Sequence, residues 1–336
     1  MTIQGPLFIA KTPLRVSFIG GGSDYPEYFK NHGGAVIGAS INQFVYTNLL
    51  PLNDYSSENI RFTYRITESV ESASELKHPV VKAVLQTMKP NGKLNIGTMS
   101  DLPGGTGLGS SSAFTVGLIQ LMAENLGLRY SPEELAVSAI KIEREILSEP
   151  GGHQDQYFSA YGGLNLISFS KSETQVKRLI SNPEVLRAIS SHIALVPIEK
   201  DRSSSEFARQ TVAYVTKKDN LKSLESDLNF TLDLAEKISS ASEILEIVKF
   251  LSMAVNRSWE SKKKIYSANK QKAFERTERL LIENGATGFK LCGAGASGFF
   301  LAIFEDPDRL LNTYLANKDN WILPKIQMSG SELIQL

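Results

Sequence analysis

The 336-residue chain has a single cysteine, Cys292, which rules out an internal disulfide and fits a reducing compartment. Its four histidines are scattered and offer no zinc-ligand spacing. No charge of either sign is in excess: Lys+Arg and Asp+Glu both number 36. No overall field therefore draws the chain to nucleic acid or to an anionic membrane. The one short basic run, Lys262-Lys263-Lys264, reads as a solvated helix face. No apolar run reaches about 18 residues, and no charged-then-apolar signal pattern opens the chain. Repeats and low-complexity segments are lacking too. What remains is a cytoplasmic enzyme or binding protein acting on small molecules, without nucleic acid or membrane as partner. At 42% apolar, the chain has material for two domains, or for one with a large second lobe.

β-Branched and aromatic stretches predict strands over 7–10, 16–19, 35–50, 60–66 and 94–99. Helical patterns follow over 79–88, 113–126 and 132–147. The third starts on Ser131, Pro132 and two acids, a clear N-terminal signature. Strands return over 163–169 and 193–198. Beyond about residue 201 the character changes to long charged amphipathic helices, over 203–215, 221–238, 242–256 and 270–284. A strand, a glycine loop and a strand span 287–304. A helix over 307–317 and a strand near 325–328 close the pattern. Strands grouped with helices, without strict alternation, predict an α+β protein. Its lobes, 1–200 and 201–336, should meet at a cleft, a common ligand site. The long helices after 200 could pair two subunits into a homodimer or cover their own sheet.

Glycine is concentrated in three blocks. The densest is Pro103-Gly104-Gly105-Thr106-Gly107-Leu108-Gly109-Ser110-Ser111-Ser112, directly before an apolar helix. Glycine admits close backbone approach and positive φ. The first helix amides are unpaired and carry the positive end of the dipole. Together they make an anion site suited to phosphates. The common P-loop lysine is missing, because Ser110 follows Gly109, so charge must be neutralised by a metal or a distant cation. A tight turn with an N-cap serine is the plainer alternative. A Rossmann site is excluded: no strand ending in an acid follows at the required spacing.

The other blocks are Gly20-Gly21-Gly22-Ser23-Asp24-Tyr25, shortly after Arg15, and Lys290-Leu291-Cys292-Gly293-Ala294-Gly295-Ala296-Ser297-Gly298. In this order the three blocks resemble the small-molecule kinase superfamily named for galactokinase, homoserine kinase, mevalonate kinase and phosphomevalonate kinase (GHMP). The resemblance runs from Pro13 to Phe304, with Ala296-Ser297 standing where the family usually has glycines. It implies an N-terminal lobe of the ribosomal S5 domain 2-like type and a ferredoxin-like C-terminal lobe, with ATP and Mg²⁺ in the cleft. Residues 103–112 would wrap the ATP phosphates. Ser111 would take the place of the Mg²⁺-binding serine, while Ser110 and Ser112 would donate to phosphate or cap the helix. Glu143 matches the second metal ligand; one hydroxyl and one carboxylate suffice, since Mg²⁺ keeps phosphates and waters. By its residues alone Glu143 could as well be a surface charge.

Asp155, in Gly152-His153-Gln154-Asp155-Gln156, matches the family's catalytic acid, and Arg15 the cation facing it. A carboxylate beside an arginine is a weak base, which suffices in phosphoryl transfer, where the transition state is loose. Asp24 stands where sugar-kinase relatives hold hydroxyls, with Ser23 and Tyr25 beside it; an Asx turn is its other reading. His153 and Gln156 could reach the sugar, and Gly162 and Gly163 could let backbone approach its ring. Within the superfamily, the triple glycine, the 152–157 stretch and Arg202-Ser203-Ser204-Ser205 resemble bacterial heptose 7-phosphate kinases. That implies phosphorylation of the anomeric O1, giving heptose 1,7-bisphosphate for activated heptose and surface polysaccharide. Arg202 and Ser203, at a helix start, would hold the substrate's phosphate or merely cap the helix. The alternatives are a kinase for an unphosphorylated sugar such as fucose, and an inactive ATP and sugar sensor.

Overall fold

The computed structural model describes residues 5–198, 204–266, 268–293, 298–316 and 321–336. The chain begins with β1 (Phe8–Ile19), α1 (Pro26–His32) and the long β2 (Gly34–Leu52). β1 and β2 are antiparallel, with a register shift at Pro13, whose missing N–H interrupts the ladder. β3 (Ile60–Thr63), β4 (Thr67–Val70), α2 (Pro79–Met88) and β5 (Lys93–Ser100) follow. The glycine-rich loop then leads into α3 (Ser110–Asn125). α3 is buried along most of its length, as its apolar sequence demands, and packs on β1, β2, α4 and α5.

α4 (Pro132–Ile140) starts on a capping box between Ser131 and Glu134. The expected helix to 147 does not run on as α: residues Lys141–Ile146 form a π turn. Next come α5 (Gln154–Tyr161), β6 (Leu164–Phe169), β7 (Thr174–Ile180), α6 (Pro183–Ser190) and β8 (Ile193–Pro197). The second half holds α7 (Ser204–Val215), α8 (Lys218–Ser240), α9 (Ile244–Lys263), α10 (Ala268–Glu283), β9 (Gly288–Leu291), β10 (Phe299–Ile303), α11 (Pro307–Ala316) and β11 (Glu332–Gln335). The strand expected near 325–328 is not one. Ile326 makes a single bridge to Ile41, and the strand is β11.

Two sheets result, in an α+β arrangement. The large one has the order β11-β1-β2-β5-β3-β4, with β6 and β7 extending from β2. The small one is antiparallel β8-β10-β9. The sheets interleave across residue 200: β8 precedes it and joins the small sheet, while β11 follows it and joins the large one. Among the described residues no helix is long and apolar enough to cross a membrane.

Candidate active site

A cleft of about 290 Å³ opens between the sheets. The triple-glycine turn, the start of α3, the segment before α5, and α7, α8, α9 and β9 all contribute to its lining. The three glycine blocks meet at this cleft through Gly20–Gly22, Ser111–Ser112 and Gly293, while residues 103–110 pack beside it and do not line it. A Cβ on Gly107 would lie 2.7 Å from the Cys292 carbonyl, and one on Gly298 1.9 Å from the Thr106 carbonyl. Only glycine permits backbones this close.

Arg15 is the hub. It projects from β1 and grips Asp155 at two points, Nε to Oδ1 at 2.8 Å and Nη2 to Oδ2 at 2.6 Å. Its Nη1 donates to the Gly107 carbonyl at 2.6 Å, and its backbone N–H to the Leu108 carbonyl at 3.0 Å. One guanidinium thus ties the glycine-rich loop to the first turn of α5. A Cβ at Gly109 would sit 3.4 Å from Asp155 Oδ2. Pro103, Gly104 and Gly105 are exposed, and beside Gly104 and Gly105 space is open for a ligand. Leu108 is buried, and the Thr106 hydroxyl is buried without a partner among the described residues. No side chain caps α3: its N-cap is Gly109, at φ 79°. Ser110 therefore does not cap the helix, and the dipole end faces the cleft.

Asp24 is fully buried in the cleft wall. Its carboxylate accepts from Gly22 N–H at 2.8 Å and Gln154 Nε2 at 2.9 Å. Burial raises its pKa, opposed by those hydrogen bonds. A side chain at position 152 would collide with it, since a Cβ there would fall 1.7 Å from Oδ2. Tyr25 lines the same wall and hydrogen-bonds Thr211 of α7; burial raises its phenol pKa. The Ser23 hydroxyl is spent on the Gly20 and Ala35 carbonyls.

Glu143 reaches the cleft from the π turn and is 5% exposed. Ser112 Oγ donates to it at 2.9 Å, Thr115 Oγ1 at 2.6 Å, and Gln156 Nε2 also donates. Burial, against these donors, pushes its carboxyl up to about 7. The serine touching Glu143 is Ser112; Ser111 is exposed and faces the same cleft. Among the described residues no cluster of three His, Cys, Asp or Glu could hold a metal alone.

Several expected residues lie elsewhere. The His153 ring packs edge-on against Phe29 at 5.2 Å and does not line the cleft. Gly162 and Gly163, at the far end of α5, do not line it either. Gly162 packs on Ser329, and Gly163 N–H donates to the Gln327 carbonyl at 2.7 Å. Arg202 and Ser203 fall outside the described residues.

Lys262 is not a solvated surface charge. Its Nζ donates to the Leu291 carbonyl at 2.9 Å and to the Gly293 carbonyl, holding the third glycine block. Burial depresses its pKa to about 7. Lys290, which opens the third glycine block and to which the motif assigns no role, lies on β9, is 5% exposed and lines the cleft. A signal for Lys262 existed: it lies three residues after Trp259 and seven after Val255, both buried on the same helix.

Taken together, the cleft offers the amide end of α3, an oriented carboxylate, a buried carboxylate able to accept from hydroxyls and a second carboxylate among neutral donors. That set can hold a polyphosphate, place a hydroxyl against it and take up a proton. A family model for the GHMP kinases N terminal domain matches residues 76–163. The chain is 33% identical over 327 residues to the D-glycero-alpha-D-manno-heptose 7-phosphate kinase of Campylobacter jejuni, covering 90% of each. It superposes with a TM-score of 0.76 on a D-glycero-D-manno-heptose 1-phosphate kinase from Bacteroides thetaiotaomicron, at 23% identity over 98% of this chain and 99% of the other. Lactococcus lactis galactokinase, complexed with galactose, gives 0.69 at 14% identity, covering 98% and 95%.

Proposed function

The chain belongs to the GHMP kinase family, and from that premise we propose that it is an ATP-dependent heptose 7-phosphate kinase. It transfers the γ-phosphoryl group to the anomeric O1 of D-glycero-D-manno-heptose 7-phosphate, giving the 1,7-bisphosphate on the way to nucleotide-activated heptose. The observation that carries this reading is the Arg15 bridge, which holds Asp155 against the glycine-rich loop in one cleft with Asp24.

The ATP phosphates lie along the amides of 104–112. Asp24, an acceptor-only group when ionised, holds sugar hydroxyls, with Tyr25 beside it. Arg15 fixes the orientation of Asp155, which positions O1 and receives its proton as the P–O bond to ADP breaks. An anomeric hydroxyl is more acidic than an ordinary alcohol and suits a weak base. Glu143 fits a divalent cation: it is buried, carries hard oxygens, and has only neutral donors around it. Mg²⁺ would be held there by Glu143 and the Ser111–Ser112 hydroxyls, and when bound would neutralise phosphate charge. Arg202 and Ser203 remain our candidates for the 7-phosphate.

Incubation with ATP and Mg²⁺ and, in parallel, heptose 7-phosphate, free heptose, fucose and galactose tests the assignment. ³¹P NMR should show a new anomeric phosphate, formed fastest from heptose 7-phosphate. Faster turnover of an unphosphorylated sugar reassigns the acceptor. ATP left intact with every sugar would leave the chain a ligand sensor.

A further inference from the structure

We propose that Lys290 is the cation the glycine-rich loop lacks: it meets the phosphoryl group in transit between ATP and the acceptor. The inference rests on the kinase reading above and adds a catalytic residue to it.

Nothing in residues 103–112 carries a positive charge. Four described cations line the cleft, and three are already engaged. Arg15 is spent on Asp155 and the Gly107 carbonyl. Arg144 pairs with Glu27 and the Glu149 carbonyl. Lys262 is held by the Leu291 and Gly293 carbonyls. Lys290 alone has neither hydrogen bond nor ion pair among the described residues, although it is 5% exposed. The side chain is buried but its Nζ is not sealed off, so it presents a free ammonium to the cleft.

Its surroundings say what it is placed to meet. Lys290 lines the same cleft as Arg15, Asp155 and Asp24. It thus shares one cavity with the Asp155 pair and the sugar-facing acid, the cavity through which the group in transfer must pass. Burial lowers its pKa to about 8, so the ammonium still predominates at neutral pH. In the transfer, the acceptor oxygen forms a bond to the γ-phosphorus. The bond to the bridging oxygen breaks, its electron pair leaves with ADP, and the acceptor's proton passes to Asp155. Negative charge spreads over the three equatorial oxygens, and an ammonium in the cleft stabilises it. Lys262, clamping the carbonyls on either side of Cys292, is a positioning residue for the strand end that carries Lys290.

Lys290→Met removes the charge and keeps most of the apolar stem; Lys290→Gln removes the charge and keeps a polar end. Steady-state kinetics with ATP are measured for heptose 7-phosphate and for free heptose, alongside melting temperature. Both variants should lose about 100-fold or more in kcat with both acceptors, with sugar KM changed only a few-fold. The melting temperature should hold in Lys290→Met, because the ammonium makes no hydrogen bond or ion pair among the described residues whose loss would weaken the fold. A KM increase confined to the phosphorylated sugar would mean that Lys290 serves the acceptor's own phosphate, and would overturn the proposal. So would wild-type kcat, or a melting temperature that falls in both variants along with activity. A wild-type chain inactive on every sugar overturns the kinase reading itself; wild-type turnover that survives in both variants overturns this inference alone.

Discussion

Asp155 enters the cleft with both carboxylate oxygens engaged by one guanidinium. Each oxygen keeps a lone pair, so an approaching hydroxyl can still donate to it. Asp155→Asn would turn an N–H donor toward Arg15 and remove the proton acceptor. The expected result is a kcat loss of about 10²–10⁴ with ATP KM changed only a few-fold, since the loop amides are untouched. Near-wild-type turnover would remove Asp155 from the mechanism. His153, two residues away, does something else. Burial, helped by the charge of Arg144, holds its imidazole down to about 4. The unfolded chain takes that proton near 6.5, so between those values the unfolded state binds more protons. Stability from this group is present above pH 6.5 and is lost as pH falls toward 4, by at most about 3 kcal/mol. Urea unfolding at pH 7 and 4.5 should show His153→Gln losing less stability on acidification than the wild type; equal losses would mean the ring is freely protonated. Motif position put His153 beside the sugar. Its ring direction is decided by Phe29 on another helix, which no local pattern reveals.

At the scale of elements, what was legible depended on local chemistry. The start of α4 was readable because serine, proline and acids act within one turn. The three glycine blocks were readable because close backbone approach demands that residue type at those places. Glu143 could have been placed by period alone: it lies four residues after Ala139 and seven after Ala136, both fully buried. The π turn that carries it was hidden. Its i→i−5 bond, Leu147 N–H to the Ile142 carbonyl at 3.0 Å, depends on how the turn meets α3 and α5 and not on residue preference. β11 was hidden for a related reason. Only one of its four residues is partly buried, so no alternation marks it, and it is a strand because β1 offers an open edge. The 325–328 segment has the apolar content of a strand yet pairs through scattered single bonds.

At the scale of the whole molecule, the last sixteen residues bind the two sheets into one body. Ile322 exchanges both backbone bonds with Leu195 of the small sheet. Lys325 and Gln327 then bond Asn42 and Ser40 of β2, and Gln327 also receives Gly163 N–H behind α5. Gly330 packs against the Ala160 carbonyl, and β11 finishes on β1, the strand that carries Arg15. The route touches both ends of the chemistry: the helix behind Asp155 and the strand behind its partner. Two truncations separate edge pairing from this staple. Ending the chain after Ser331 removes five mostly exposed residues and their ladder to β1. At about 1 kcal/mol net per hydrogen bond, the cost should be about 2–4 kcal/mol, with kcat preserved. Ending it after Pro324 also removes Ile326, which is buried, and the segment's own bonds to Asn42, Ser40 and Gly163. Backbone groups at the C-terminal end of α5 are then left unpaired, and the helix that carries Asp155 loses its support. That shorter chain should melt well below the first truncation and lose most of its kcat. Thermal melting and steady-state assay of both proteins give the answer: a shorter chain as stable and as active as the longer one would show that the segment decorates a cleft already held together by Arg15 alone.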